Sequence, residues 1–191
     1  MHDFSQPDWT AAIDLSALLV AIPIDSTVMG LFFQTALAEA KAKGEVAGRG
    51  EYSSLTKYPT TELAQVLYQS ATLAYPDVPV REALRRIGQK VFPKIRETTA
   101  GALLFSVAGN RPFAAVKLIG RAYKLFTSSV SATPAEQADG SILVEMRNLW
   151  TFADSYHLGI IEGAFISYGS KSEILVRRHS ICDVDFLVKS S

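Results

Sequence analysis

The residues able to carry proton, metal or nucleophile chemistry are few: three histidines (His2, His157, His179), one cysteine (Cys182) and the acidic pair Asp183 and Asp185. The histidines share no ligand spacing such as His-x-x-x-His, and a lone cysteine completes no zinc cluster, so no metal site is predicted. Asp183 and Asp185 lie two apart in the strand-like ICDVDFLV and read as a solvated strand edge; a catalytic carboxylate pair needs a concave site. Neither a Gly-x-Ser-x-Gly elbow nor a Walker-type Gly-x-x-x-x-Gly-Lys motif is present. GEVAGRGEY, from Gly44 to Tyr52, lacks the preceding strand and the spacing of a phosphate loop, so it reads as a flexible connection. No catalytic residue is therefore assigned, and a non-enzymatic role is expected. His157 stays a candidate because imidazole titrates near neutrality, although a half-buried histidine opening a helix is the plainer reading.

His157 belongs to SYHLGIIEGAFISYG, which has the length of a helix but sets Gly159 and Gly163 four apart on one face. Each interior glycine costs about 0.5–1 kcal/mol relative to alanine, so something must offset the pair. Close packing of this helix on its own sheet is the leading explanation, and it predicts that Gly163→Leu destabilises the fold by overpacking. A second is dimerisation through Gly159-x-x-x-Gly163, a motif informative chiefly in membranes. A third is room for a small apolar ligand between helix and core, with Tyr156 and His157 at its mouth and Gly159 and Gly163 behind them.

A second candidate surface is basic. Between positions 81 and 124, Arg81, Arg85, Arg86, Lys90, Lys94, Arg96, Arg111, Lys117, Arg121 and Lys124 face only Glu82 and Glu97. That asymmetry could draw an anionic nucleotide or an acidic partner to Arg86, Lys90 and Lys94; a solvated helix face is the alternative. Few aromatic residues interleave with these charges, so nucleic acid is not an expected partner.

The elements that must position these residues follow from periodicity and punctuation. DLSALLVAIP stops at Pro23, and IDST offers Asp25 or Ser26 as the cap of a helix predicted from about Thr27 to Lys43. EVAGRGEYSSLTKYP reads as a connection. Helices are predicted from Thr60 or Thr61 to Tyr75-Pro76, from Pro79 with a kink or break at Pro93, from Thr99 to Ala108, and from Pro112 to about Leu125. After Thr127 the period changes. Ser128–Gln137 and SILVEMRNLW flank Asp139-Gly140, a hairpin dipeptide, and SEILVRR and DVDFLVKS follow the glycine helix. The expected class is α+β, an N-terminal helical layer on a C-terminal antiparallel sheet in β-β-α-β-β order. One domain over 1–191 is expected, helical to about 127 and sheet-containing over about 128–191.

Composition narrows the remaining classes. Nineteen Lys and Arg balance nineteen Asp and Glu, and 48% of residues are hydrophobic, an ordinary globular mixture rather than a disordered or nucleic-acid-coating one. The apolar runs fall short of the roughly 20 residues a membrane span needs. No charged segment precedes a signal-like core. With a single cysteine, a reducing, cytoplasmic setting is expected.

IDSTVMGLFFQTALAEAKAKG, REALRRIGQKVF and YHLGIIEGAF, together with the closing strands, resemble a family of uncharacterised proteins of about this length with many paralogues in myxobacteria. More distantly, helices followed by a sheet with an inserted glycine-containing helix are similar to the haem nitric oxide/oxygen-binding, vinyl-reductase-like and TRAPP-type folds. The resemblance implies a bacterial module that senses a small ligand or mediates protein assembly, with a small apolar ligand, a protein partner or a second copy as its counterpart. Haem itself is disfavoured. An axial ligand on the helix ahead of the sheet is required, but RPFAAVKLIGRAYKLF contains no histidine. The Tyr-Ser-Arg-type signature of the haem family is also missing, WTFADSYHLG standing in its place. No cofactor is predicted.

Overall fold

The computed structural model describes residues 3–190. A helical layer is built from α1 (Leu15–Ala21), α2 (Leu31–Lys41), α3 (Thr60–Ala74), α4 (Val80–Gln89), α5 (Val91–Glu97), α6 (Thr99–Ser106), α7 (Pro112–Lys117) and α8 (Ile119–Phe126). Strands β3 (Ser131–Glu136) and β4 (Ile142–Arg147) follow, then α9 (Tyr156–Ser167), then β5 (Ser172–Arg178) and β6 (Val184–Ser190). These four strands form an antiparallel sheet in the order β3-β4-β6-β5. The α+β class and the strand-strand-helix-strand-strand sequence agree with expectation.

The period-2 pattern of the strands explains which face of the sheet is covered. Ile142, Val144 and Met146 of β4, and Val184, Phe186 and Val188 of β6, are fully buried and meet Leu158, Ile161 and Phe165 of α9 with Val116 and Ile119. A second core lies inside the helical layer and includes Phe32, Leu67, Leu84, Ile87 and Phe92, together with Tyr156, Ile160 and Ala164 of α9. Thus α9 is apolar nearly all round because it is sandwiched between the helices and the sheet. His2 lies outside the described residues.

Four local expectations are corrected. The helix predicted from Thr27 begins at Leu31; Thr27–Met29 forms β1, which pairs with β2 (Lys57–Pro59) inside the stretch read as a connection. Ser26 does not cap a helix, because its hydroxyl is buried against those of Thr60 at 2.8 Å and Ser129 at 3.1 Å. The break expected at Pro93 falls earlier, at Lys90, leaving Pro93 in the first turn of α5 where its missing N–H is harmless. Finally, the helix predicted from Pro112 to Leu125 is interrupted at Leu118.

Candidate functional site

The α4–α9 seam accounts for the glycines. A Cβ built on Gly159 would overlap the Arg85 carbonyl oxygen and stand 2.9 Å from its carbon; one on Gly163 would do the same at Gln89. Carbon atoms pack at roughly 3.5–4.0 Å. From the opposite side, a Cβ built on Gly88 would overlap the Tyr156 carbonyl oxygen and stand 3.1 Å from the Gly159 Cα. The expected partner was the sheet; the actual partner is the backbone of α4. The space a ligand would occupy beside Gly159 and Gly163 is filled by that helix. At the rim of the seam, Arg85 grips Glu162 with two bonds of 2.6 and 2.8 Å, and Gln89 adds a third at 2.9 Å.

The other two predicted ligand residues look elsewhere. Tyr156 and His157 are 0% and 3% exposed, so they stand in the interior rather than at a mouth. The His157 ring uses both nitrogens: Nδ1 shares a hydrogen bond with the Tyr123 hydroxyl, and Nε2 lies 2.8 Å from Thr151 Oγ1. Burial alone pushes the imidazole pKa down to about 3, so the ring is neutral and one nitrogen donates while the other accepts. Burial, with the nearby Tyr156 hydroxyl, raises the Tyr123 phenol well above its ordinary value. Tyr156 is likewise pushed up by burial.

Two small interior cavities meet at Tyr123. The first, of about 30 Å³, is walled by residues of α2, α5, α6, α7, α8 and α9, among them Phe32, Phe92, Phe105, Phe126 and Ile160, and is almost wholly apolar. The second, of about 20 Å³, is walled by Ser26, Thr60, Trp150, Thr151, Tyr156 and His157, among others, with Tyr123 and Phe32 common to both. None of the residues lining the first is histidine, cysteine or methionine. Its one hydroxyl-bearing side chain, Tyr123, is committed to His157.

Each residue of the predicted anion surface has a carboxylate partner, two from its own helix and one from another. Arg86 pairs with Glu82, Lys94 with Glu97, and Lys90 with Glu39 of α2. Arg81 is bound to Asp154 and to the carbonyl of Ala11, and Lys117 to Glu136. Glu39, Asp154 and Glu136 lie outside 81–124, so that stretch read alone does not reveal them.

Asp185 was also misread as a solvated edge. It is 1% exposed and accepts from Arg147 at 2.7 Å, Arg177 at 2.8 Å and His179 at 2.8 Å. Burial pushes its carboxyl up, but the hydrogen bonds from His179, Arg147 and Arg177 outweigh that and hold it below the usual range. The strand register puts Asp185 opposite both Glu145 and Arg177, a juxtaposition invisible before strand pairing is known. Among the described residues no group of three or more His, Cys, Asp or Glu side chains could hold a metal ion. None of the described helices is long and apolar enough to cross a membrane.

The family profile described as "Protein of unknown function (DUF2378)" matches residues 22–189. The chain belongs to the DUF2378 family. No curated protein matches this DUF2378 chain in sequence. Its fold is similar to that of an H-NOX protein variant from K. algicida in the unliganded Fe(II) state, at TM-score 0.63 and 18% identity, covering 85% of this chain and 96% of that one. An H-NOX protein from S. oneidensis in the Fe(II)NO ligation state gives 0.63 at 15% identity, covering 85% and 99%. An oxygen-binding H-NOX domain related to soluble guanylate cyclases, solved as its oxygen complex, gives 0.60 at 15%, covering 85% and 92%. At these identities the fold is what is shared.

Proposed function

We propose that this DUF2378 protein is a non-enzymatic bacterial module that senses a small apolar ligand held in its interior. The observation that carries the reading is the apolar cavity where α8 and α9 meet the helical layer, in a fold whose solved neighbours are ligand-binding H-NOX proteins. Haem does not fit the residues present. Cofactor pockets run to roughly 300–1,000 Å³ against a cavity of about 30 Å³, and haem iron needs an axial donor, which the lining does not supply. The occupant is therefore a molecule of a few atoms, or one admitted by movement of the four phenylalanines.

Thermal unfolding of the purified chain under xenon and short alkanes tests this reading, with native mass spectrometry of the protein as isolated. A ligand that binds only the folded state raises the midpoint with its concentration, and added haemin gives no stoichiometric absorption band. A midpoint indifferent to every apolar probe, with a bare mass, overturns it.

An assembly role draws on a different observation. Leu103 and Val107, four residues apart at the end of α6, are 75% and 66% exposed, an apolar stripe suited to a second copy. Light scattering across a dilution series, with Leu103→Lys/Val107→Lys as comparison, decides it; monomers at all concentrations remove the reading.

A further inference from the structure

Two of the residues that wall the second cavity carry buried polar groups with nothing to bond. Tyr156 lines it and is fully buried, yet its hydroxyl has no hydrogen-bond partner; the Trp150 indole Nε1 is buried and equally unpartnered. An indole N–H can only donate, and a phenol readily does. The groups around them are already engaged: His157 by Tyr123 and Thr151, Ser26 by Thr60 and Ser129. Leaving two donors dry carries the full desolvation penalty of each.

The loop between β4 and α9, which delivers these donors, is strained. Asn148 and Phe152 sit at φ 60° and 56°, in the left-handed region that a bulky side chain such as Phe152 avoids. Its form is held by Leu149 N–H donating to Cys182 and by Ser155 and Tyr156 N–H donating to Phe152. Strain of this kind persists where surrounding contacts impose it, commonly at ligand clamps. Here it fixes Trp150 and Thr151 on one wall and starts α9 so that Tyr156 and His157 form another.

We propose that this cavity is a subsite for one neutral hydrogen-bond acceptor, the oxygen of a short ketone or alcohol, with Trp150 and Tyr156 as its donors. A water takes that place in the free protein. The lining holds no Asp, Glu, Lys or Arg and the His157 ring is neutral, so a charged head would be buried without a counterion. A volume of about 20 Å³ accepts one water-sized group. Because Tyr123 and Phe32 wall both cavities, the ligand's carbon end points to the apolar one. The proposal deepens the sensing reading and rests on it for that apolar half.

The test uses the full chain labelled with 15N. Trp9 and Trp150 are its two tryptophans, so the indole region holds two signals, and Trp150→Phe assigns them. Acetone and propan-2-ol shift the Trp150 signal saturably and leave Trp9 in place, whereas xenon, which has no oxygen, raises the unfolding midpoint without reproducing that shift. Tyr156→Phe keeps the ring and the packing; it weakens acetone binding about tenfold, the loss of one hydrogen bond, and lowers the unfolding midpoint by stranding the water. A Trp150 signal unmoved at saturating acetone overturns the subsite, as does a Tyr156→Phe midpoint that rises, the behaviour of a hydroxyl that had no partner. If xenon still binds in that case, the sensing reading stands without the subsite; if xenon also fails, both fall.

Discussion

Gly159→Ala separates a packed glycine from a merely tolerated one by the sign of its effect. In a helix with free space, alanine stabilises by about 0.5–1 kcal/mol through propensity. Here the new Cβ would overlap the Arg85 carbonyl oxygen and lie 2.9 and 3.1 Å from the Arg85 carbonyl carbon and Cα. All three are backbone atoms of α4, so relief requires moving a helix pinned by Leu84 and Ile87, both fully buried. Overpacking of this kind costs about 1–3 kcal/mol, occasionally more; net of propensity, we expect about 0.5–2 kcal/mol of destabilisation. For a domain of this size that is a fall in Tm of roughly 2–4 °C per kcal/mol. Urea unfolding followed by circular dichroism measures it, with unchanged slope showing that the native state has not loosened. Alanine at Gly109, where nothing lies within 4 Å but φ is 56°, gives a control for backbone strain without packing. A higher midpoint for Gly159→Ala, or for Gly163→Ala, would refute the close-crossing account.

Other perturbations follow from the buried polar groups. His157 has its folded pKa lowered to about 3 against an ordinary value near 6.5, so its contribution is complete above pH 6.5 and is lost as pH falls from there toward 3. The slope approaches about 1.4 kcal/mol per pH unit at most, and His157→Gln flattens it in urea titrations between pH 6.5 and 4. Asp185, held below its ordinary value, contributes stability present above about pH 4 and lost as pH falls through its folded pKa. Asp185→Asn destabilises by about 1–3 kcal/mol at pH 7, and the gap to wild type closes in acid; a gap independent of pH rejects the charge argument. Glu162→Gln loosens the Arg85 clamp at the α4–α9 rim by about 1–2 kcal/mol, and its coupling to Gly163→Ala in a double-mutant cycle should exceed about 0.5 kcal/mol.

Legibility in the sequence tracked the range of the interactions responsible. The Asp139-Gly140 hairpin, the strands β4 and β6, and the helix α9 with its paired glycines are written in adjacent residues, and all are readable. Thr27–Met29 reads as helix because its preceding Asp25-Ser26 resembles a cap, whereas Val28 pairs with Tyr58 thirty residues on. The same limit hid the carboxylates of Glu39, Glu136, Asp154 and Glu162 from the basic stretch they neutralise. Gly88 left a usable signal, since a glycine inside the amphipathic REALRRIGQ poses the same question as Gly159, and pairing the two would have named α4 as the partner. Trp150 left little: its role depends on the left-handed backbone at Asn148 and Phe152, a region that asparagine favours but of which a phenylalanine gives no warning.

The glycine seam and the two cavities are consequences of one placement. With Gly88, Gly159 and Gly163 lacking Cβ atoms, α9 lies backbone to backbone on α4, which fixes the depth of α9 in the molecule. Ile160, Ile161 and Ala164 then reach the apolar cavity, while Tyr156 and His157 at the start of the same helix reach the polar one. A helix held further out would carry these five residues away from α8 and open the Tyr123–His157 hydrogen bond. The crossing therefore sets the size and chemistry of the interior as well as the stability of the fold. On this account, alanine at Gly159 changes the Trp150 indole environment although residue 159 lines neither cavity.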